Sequence, residues 1–275
     1  MTYNFSEIAA TVRRDIIRMC YEAQSAHLGG SLSCVEILVA LYWRVMHIDP
    51  KRPDDPNRDR LFFSKAHDVK ALYAVLGNRG FFPKEWFFGY EKDCGHLAGH
   101  AVRGIVPGVE ISAGSLGHGL SMAAGAAFAL KKRTMNDEQR TVNNYPRVFT
   151  ILSDGECDEG SVWEAALFAA HHKLDNLIAV IDYNKLQAYG RIKDVLNLEP
   201  LTKKWEAFCW SAREVDGHDL KKLTTILLAT PFVKGKPSVI IAHTIKGFGG
   251  PKRLIEQVSS QYKPPTEEEY RELIG

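Results

Sequence analysis

Three short, continuous apolar runs limit the folds that this chain can adopt. They are VFTIL at 148–152, LIAVI at 177–181 and SVIIA at 238–242. Their length and their content of β-branched residues are typical of strands that are buried on both faces. Apolar residues at helical spacing predict helices around them, over 8–23, 35–46, 66–76, 119–131, 162–171 and 220–228. We therefore predict an α/β fold, a doubly wound and mainly parallel sheet with helices on both faces.

The pattern also predicts how the chain is divided. Residues 1–248 carry the strand and helix signals and form the predicted main domain. Residues 249–275 begin with Gly-Gly-Pro and reach a Pro-Pro pair before the acidic TEEEY stretch. This composition predicts a C-terminal loop followed by a short helix.

Composition excludes several kinds of protein. The formal net charge is only +2 and the basic residues are scattered, which does not favour a nucleic-acid partner. The amino terminus lacks the apolar core of a signal peptide, and no apolar run is long enough to span a bilayer. The five cysteines include no C-x-x-C pair, as expected of reduced thiols. We expect a cytoplasmic protein.

Polar residues follow two of the predicted strands at the point where each strand ends. Asp154 lies just beyond the first run and Asn184 just beyond the second, and they are separated by about the length of one βαβ crossover. Both should therefore face the crevice at the carboxyl edge of the sheet. A carboxylate and an amide oxygen suit a hard divalent cation that bridges to a diphosphate. Gly155 would let the backbone approach phosphate oxygens closely, but each residue alone is also an ordinary turn residue.

The whole segment gives a sharper interpretation. Residues 153–190 read SDGECDEGSVWEAALFAAHHKLDNLIAVIDYNKLQAYG, which resembles the thiamine-diphosphate motif in its transketolase version. The resemblance implies that Asp154, Asn184 and the backbone carbonyl of Leu186 hold the metal, which would be Mg²⁺, or Ca²⁺ or Mn²⁺. It implies that Gly155 and Asn184 contact the diphosphate of thiamine diphosphate.

The same resemblance assigns a role to two acids in this segment. Glu159 and Glu164 match family acids at the subunit interface, where they link paired active sites. From the residues alone, solvated charges in the first turns of a helix remain an alternative explanation of both.

Upstream segments resemble the same family. HLGGSLS at 27–33, SKAH at 64–67 and GH at 99–100 are similar to family segments that bring three histidines to the site. The resemblance implies that His27 meets the substrate, that His67 touches the cofactor and that His100 also reaches the site. Such a cluster could hydrogen-bond a sugar and shuttle protons near neutral pH. PGVE at 107–110 and GSLG at 114–117 match segments in which Gly114, Ser115 and Leu116 would contact the cofactor.

The resemblance extends from about residue 7 to 270 and includes no counterpart of the second transketolase domain. In the family that domain binds the pyrimidine and supplies the Glu that activates the cofactor. The resemblance therefore implies the N-terminal subunit of a two-component transketolase, active only with a separate C-terminal subunit. Families of this kind pair about a two-fold axis, so an α2β2 heterotetramer is expected.

The sequence departs from the family at several positions. Small or local changes are Ser153 for Gly, Ala66 for Gly, His118 for Gln, and the residues Asp68 and Lys70 behind His67. The largest change is Gln261, which stands where the family usually has a His. A Gln can hydrogen-bond but cannot take up a proton near neutral pH. Ordinary pentose-phosphate substrates are therefore in question, and a specialised reaction is a serious alternative.

Three functions remain open from the sequence. The first is transfer of a two-carbon ketol unit from a ketose to an aldose. The second is a two-component thiamine-diphosphate enzyme that acts on a 2-oxo acid or an unusual sugar, and the third is a non-catalytic binding subunit. An NAD-binding domain is disfavoured, because no G-x-G-x-x-G follows a first strand.

Overall fold

The computed structural model describes residues 4–135 and 146–274, and its main sheet is fully parallel. The strands of this sheet are β1 (Arg60–Phe63), β2 (Val148–Ser153), β3 (Leu177–Tyr183), β6 (Ser211–Asp216) and β7 (Ser238–His243). Their order across the sheet is β1-β2-β3-β7-β6. A short antiparallel hairpin of β4 (Leu186–Gln187) and β5 (Gly190–Arg191) follows β3. The predicted α/β fold with a mainly parallel sheet is confirmed.

Helices connect the strands and cover the sheet. They are α1 (Phe5–Glu22), α2 (Leu28–Ser33), α3 (Val35–Ala40), α4 (Val69–Arg79), α5 (His118–Met135), α6 (Gly160–His171), α7 (Ile192–Val195), α8 (Leu201–Ala207), α9 (Leu220–Leu228) and α10 (Glu267–Ile274). A π-helix, Leu41–Val45, continues α3, and short 3-10 segments lie at Ala66–Asp68, Lys84–Gly89, Gly155–Asp158, Lys252–Leu254 and Val258–Gln261. None of the described helices is long and apolar enough to cross a membrane.

Two apolar cores lie on opposite faces of the sheet, and the side chains of β3 alternate between them. Ile178 and Val180 belong to the core that is shared with α1, α3, α4 and α9. Ala179 and Ile181 belong to the core that is shared with α5, α6 and α8. Since successive residues of a strand point to opposite faces, a fully apolar strand needs helices on both sides. The continuous apolar runs of the sequence are thereby explained.

Two strands of the sheet were not predicted from the sequence. β1 has only four residues, and β6 reads SAREVD, with most of its side chains partly or fully exposed. β6 is an edge strand, so its outer side needs no apolar cover and it lacks the signal of a buried strand. The six predicted helices are all present, although the one at 66–76 begins as a 3-10 turn.

The C-terminal segment packs against the start of the chain. The ring of Tyr270 on α10 stacks on that of Tyr21 on α1, with ring centroids 4.2 Å apart. The short helix that was predicted for this segment is thus α10. The boundary between residues 248 and 249 stays a prediction.

Candidate active site

The carboxyl ends of β2 and β3 place two of the predicted ligands side by side. These strands pair in parallel, with Ser153 opposite Asp182. Asp154 directly follows β2 and Asn184 directly follows β3. Both line a cavity of about 350 Å³ at this edge of the sheet, where parallel α/β sheets commonly bind ligands.

Most of the predicted site residues meet in this cavity. Those that line it are His27, His67, His100, Gly114, Leu116, Asp154, Gly155, Asn184 and Leu186. Ser115, Glu159 and Glu164 are exposed and are not among the lining residues, so their roles stay predictions. The side chain of Glu159 packs close to the GSLG segment, since a Cβ on Gly117 would lie 2.7 Å from Glu159 Cβ.

Oxygen atoms of the predicted metal site are oriented by backbone amides. The two carboxylate oxygens of Asp154 accept hydrogen bonds from Gly155 N at 2.8 Å and from Lys185 N at 2.6 Å. Asn184 Oδ1 accepts one from Leu186 N at 3.1 Å. Burial and the charge of Asp182 raise the pKa of Asp154 to about 6. This all-oxygen donor set has the chemistry that Mg²⁺ prefers.

The donor set is incomplete without groups from a ligand. Across residues 4–135 and 146–274, no cluster of three or more His, Cys, Asp or Glu side chains could hold a metal ion. A cation at Asp154 would therefore depend on amide, carbonyl and ligand oxygens. Mg²⁺ is commonly held in this way, by one or two carboxylates together with phosphates. Asp154 and the neighbouring amide and carbonyl oxygens therefore fit a metal ion that is bound together with a diphosphate.

Sequence reasoning missed a buried lysine at the floor of the cavity. Lys65 is fully buried; its ammonium pairs with Asp182, lies 3.1 Å from Asp68 Oδ2 and donates to Gly30 O at 3.0 Å. Burial lowers the pKa of Lys65, but the two carboxylates outweigh burial and raise it well above its ordinary value. Lys65 comes just after β1, and recognising that strand would have pointed to it.

A second lysine, Lys246, was also missed. It is 4% exposed and donates to Leu186 O at 2.8 Å and to Gln261 Oε1 at 2.9 Å. Burial lowers the pKa of Lys246, although Asp68 and Asp154 oppose this. Its position shortly after β7 was a signal that the sequence offered. Lys246 therefore gives the cavity a donor suited to an anionic ligand, whereas the ammonium of Lys65 is already paired with Asp182 and Asp68.

Two histidines that line the cavity are in contact with each other. The rings of His27 and His67 meet edge to face, with centroids 5.2 Å apart. His67 Nε2 lies 3.1 Å from Asp68 Oδ2, and His27 Nδ1 lies 2.6 Å from Gln261 Nε2. Burial lowers the pKa of His27 to about 4; Asp68 opposes this, and His67 adds to it.

Glu156 ties the GSLG segment to the end of β2, which sequence reasoning also missed. This fully buried carboxylate accepts hydrogen bonds from Gly117 N at 2.8 Å, from Ser153 N at 3.3 Å and from Ser64 Oγ. Burial raises its pKa, and these hydrogen bonds oppose the rise. The Glu156 side chain thereby connects three segments that border the cavity, at Ser64, Gly117 and Ser153.

A protein-family model and similar proteins of known function both identify the family of this chain. Residues 5–269 match the model of the transketolase, thiamine diphosphate binding domain family. The chain is 42% identical over 224 residues to the 6-deoxy-6-sulfo-D-fructose transketolase subunit of Clostridium sp. (strain MSTE9), covering 81% of this chain and 78% of that protein. It is 42% identical over 242 residues to an apulose-4-phosphate transketolase subunit of Actinobacillus succinogenes, covering 88% of this chain and 84% of the relative.

Solved structures show the same fold. Transketolase from Leishmania mexicana superposes with a TM-score of 0.93 at 26% identity, over 99% of this chain and 41% of that one. Transketolase from Campylobacter jejuni superposes with a TM-score of 0.90 at 30% identity, over 100% of this chain and 43% of that one. The chain thus spans less than half the length of these two enzymes.

Proposed function

Because this chain belongs to the transketolase thiamine-diphosphate-binding domain family, we propose that it is the diphosphate-binding subunit of a two-component transketolase. The enzyme would transfer a two-carbon ketol unit from a ketose to an aldose. One observation carries the proposal: Asp154, Asn184 and Leu186 meet in the cavity at the ends of two neighbouring parallel strands. The two relatives above, each named as a transketolase subunit, support it.

The residues at the ends of β2 and β3 would bind the metal and the diphosphate. Asp154, Asn184 and the carbonyl of Leu186 would hold Mg²⁺, or Ca²⁺ or Mn²⁺, with the diphosphate. Lys246 would keep its hydrogen bond to Gln261 and exchange its contact with the Leu186 carbonyl for one with a phosphate oxygen. When bound, thiamine diphosphate supplies a nucleophilic carbon that can break and re-form carbon–carbon bonds. The protein groups bind and orient it.

The other predicted residues complete the cofactor and substrate contacts. Gly155 would contact the diphosphate, and His67, Gly114, Ser115 and Leu116 would contact the rest of the cofactor. His27 and His100 would reach the substrate.

The partner would be a separate C-terminal transketolase subunit that binds the pyrimidine. We propose an α2β2 heterotetramer in the cytoplasm, with Glu159 and Glu164 at the interface between subunits. Their exposure in this chain supports that position. Residues 1–248 would form the cofactor-binding domain, and residues 249–275 a C-terminal loop and helix.

A second candidate concerns the substrate. The two relatives are named for 6-deoxy-6-sulfo-D-fructose and apulose 4-phosphate, not for the common pentose phosphates. Gln261 lines the cavity in place of the usual His. These observations favour an unusual sugar over the standard donors.

Calorimetric titration of thiamine diphosphate into the chain, with its co-purified partner and Mg²⁺, tests the proposed metal site. Asp154→Asn keeps the shape of the side chain but removes the charged ligand, so affinity should fall about tenfold or more. Asp194→Asn, at an exposed position outside the cavity, is the matched control and should bind like wild type. Equal affinity in both variants would exclude Asp154 as a metal ligand.

A further inference from the structure

Gln261 holds His27 at two points, although 234 positions separate them. Its backbone carbonyl accepts a hydrogen bond from His27 N at 2.9 Å, and its side-chain Nε2 lies 2.6 Å from His27 Nδ1. Both residues line the cavity, and Gln261 is 7% exposed. The carboxamide is therefore a fixed, largely desolvated neighbour of the imidazole.

Lys246 determines which way the carboxamide of Gln261 points. The Lys246 ammonium lies 2.9 Å from the outer end of this group, and it carries hydrogen-bond donors only. The oxygen of the amide must therefore face Lys246, and its NH₂ group must face His27. The hydrogen-bond partners of the carboxamide thus distinguish its oxygen from its nitrogen.

The orientation leaves only one role for His27 Nδ1. A nitrogen that faces an NH₂ group must accept a hydrogen bond, so it cannot carry a proton itself. The single proton of the neutral imidazole then resides on Nε2. An imidazolium would bring an N–H of His27 against the N–H of Gln261.

We propose that Gln261 is a positioning residue that, oriented by Lys246, keeps His27 neutral with its proton on Nε2. His27 then offers the cavity a hydrogen-bond donor and does not shuttle protons. The inference rests on the proposed function in one respect only, namely that the ligand which receives this donor is the sugar. A carbonyl or hydroxyl oxygen of a ketose is an acceptor of the required kind.

The charged and titratable groups around His27 have opposing effects on its pKa. Asp68, on the neighbouring 3-10 turn, favours the imidazolium, while His67, His100 and Lys70 disfavour it. Lys70 on α4 donates to Ala26 O at 2.7 Å, directly beside His27. Burial is the largest influence and lowers the pKa of His27 to about 4, in agreement with the hydrogen-bond geometry.

The backbone of His27 is held as firmly as its ring. Its φ of 64° lies in the left-handed region, which is uncommon for a residue other than glycine. Besides the hydrogen bond to Gln261 O, the carbonyl of His27 accepts hydrogen bonds from Ser31 N at 3.3 Å and from Ser31 Oγ at 2.7 Å. The imidazole therefore has little freedom to turn Nδ1 away from Gln261.

Nitrogen NMR of the full chain, labelled with ¹⁵N-histidine, tests the proposal without substrate or partner. The His27 signals are assigned by their loss in His27→Asn. From about pH 5.5 to about pH 8, we expect one neutral tautomer with its proton on Nε2. A proton on Nδ1, or an imidazolium in this range, would overturn the proposal and leave the proposed transketolase function untouched.

A charge change at Gln261 separates positioning from mere packing. Gln261→Glu has nearly the same shape but places an acceptor at Nδ1, so the proton should move there and the pKa of His27 should rise by about one to three units. Gln257→Glu, at an exposed position on the same segment, should leave the His27 signals unchanged. If Gln261→Glu does not fold, Gln261→Met should populate both neutral tautomers. The proposal is wrong if His27 responds alike in the Gln257 and Gln261 variants.

Discussion

The imidazole of His27 links the stability of the chain to pH. Its pKa is lowered from 6.5 to about 4 in the folded chain, chiefly because burial disfavours the charged ring. As pH falls from about 6.5 to about 4, the unfolded chain takes up a proton that the folded chain does not. The free energy of unfolding must therefore fall over this window.

We predict that His27→Asn flattens this pH dependence. Asparagine tolerates the left-handed backbone of residue 27 and does not titrate. Urea unfolding near pH 7 and near pH 5 should show that wild type loses more stability than the variant. His47→Asn, at an exposed histidine outside the cavity, controls for effects of the substitution in general. Equal losses in wild type and His27→Asn would contradict the prediction.

Among single residues, those that belong to a recognisable motif could be predicted from the sequence. Residues whose role depends on contacts in the folded chain could not. Asp154 and Asn184 were found because each directly follows a recognisable strand. Lys65 follows a four-residue strand that lacks a clear signal, and Glu156 lies inside the motif with no hint of its three partners. Contacts over large sequence separations are set by the fold and leave little local trace.

The 3-10 turn Gly155–Asp158 is the element that connects the end of β2 to the GSLG segment. Its Glu156 accepts hydrogen bonds from two backbone amides and one hydroxyl in a fully buried position. Buried amides that lose their acceptor carry a desolvation cost of about 1–3 kcal/mol each. The position of GSLG against the cavity therefore depends on this side chain and on Ser161, whose hydroxyl donates to Gly117 O at 3.1 Å.

We predict that Glu156→Ala lowers the free energy of unfolding by about 2–4 kcal/mol, because Gly117 N loses its acceptor and a cavity is left. Affinity for thiamine diphosphate should fall as well, since Gly114 and Leu116 would no longer be held in place. Denaturant titration and calorimetry measure the two effects. Glu85→Ala, at an exposed position, is the control and should change stability by no more than about 0.5 kcal/mol. Glu156→Ala with unchanged stability would refute the role of this turn.

The fold class could be predicted from the three central strands, but the two edge strands of the sheet could not be recognised in the sequence. Central strands β2, β3 and β7 are buried on both faces, so most of their residues are apolar. In the part of the chain that the structure describes, the edge strand β6 pairs with β7 alone, and three of its six residues, SAREVD, are charged. A strand buried on both faces is mostly apolar, whereas a partly exposed edge strand is free to be polar.

Across the whole molecule, the C-terminal segment closes one side of the cavity by packing on the start of α2. A Cβ on Gly29 would lie 2.1 Å from Ser260 Oγ and 2.7 Å from Ser260 Cβ. Gly247 N also donates to Gly29 O at 2.9 Å. The late part of the chain thus reaches Gly29 at two points, Gly247 and Ser260, which places Gln261 beside His27.

We predict that Gly29→Ala costs about 1–3 kcal/mol of stability through overpacking, and that Ser260→Gly relieves most of this cost in the double variant. A double-mutant cycle by denaturant unfolding measures the coupling. Gly125→Ala in α5, where the new Cβ would meet no atom within 4 Å apart from the local helix backbone, should not destabilise the chain. If Gly29→Ala lowers the stability equally in the wild-type and Ser260→Gly backgrounds, Gly29 and Ser260 are not in tight steric contact.

The most direct measurement of the central claim is ketol transfer between a ketose and an aldose, assayed with this chain alone, with the co-purified partner alone, and with both. Each mixture is tested with and without thiamine diphosphate and Mg²⁺. We expect turnover only when both subunits, the cofactor and the metal are present. Full turnover by this chain alone, or turnover by the pair that does not need thiamine diphosphate, would contradict the account.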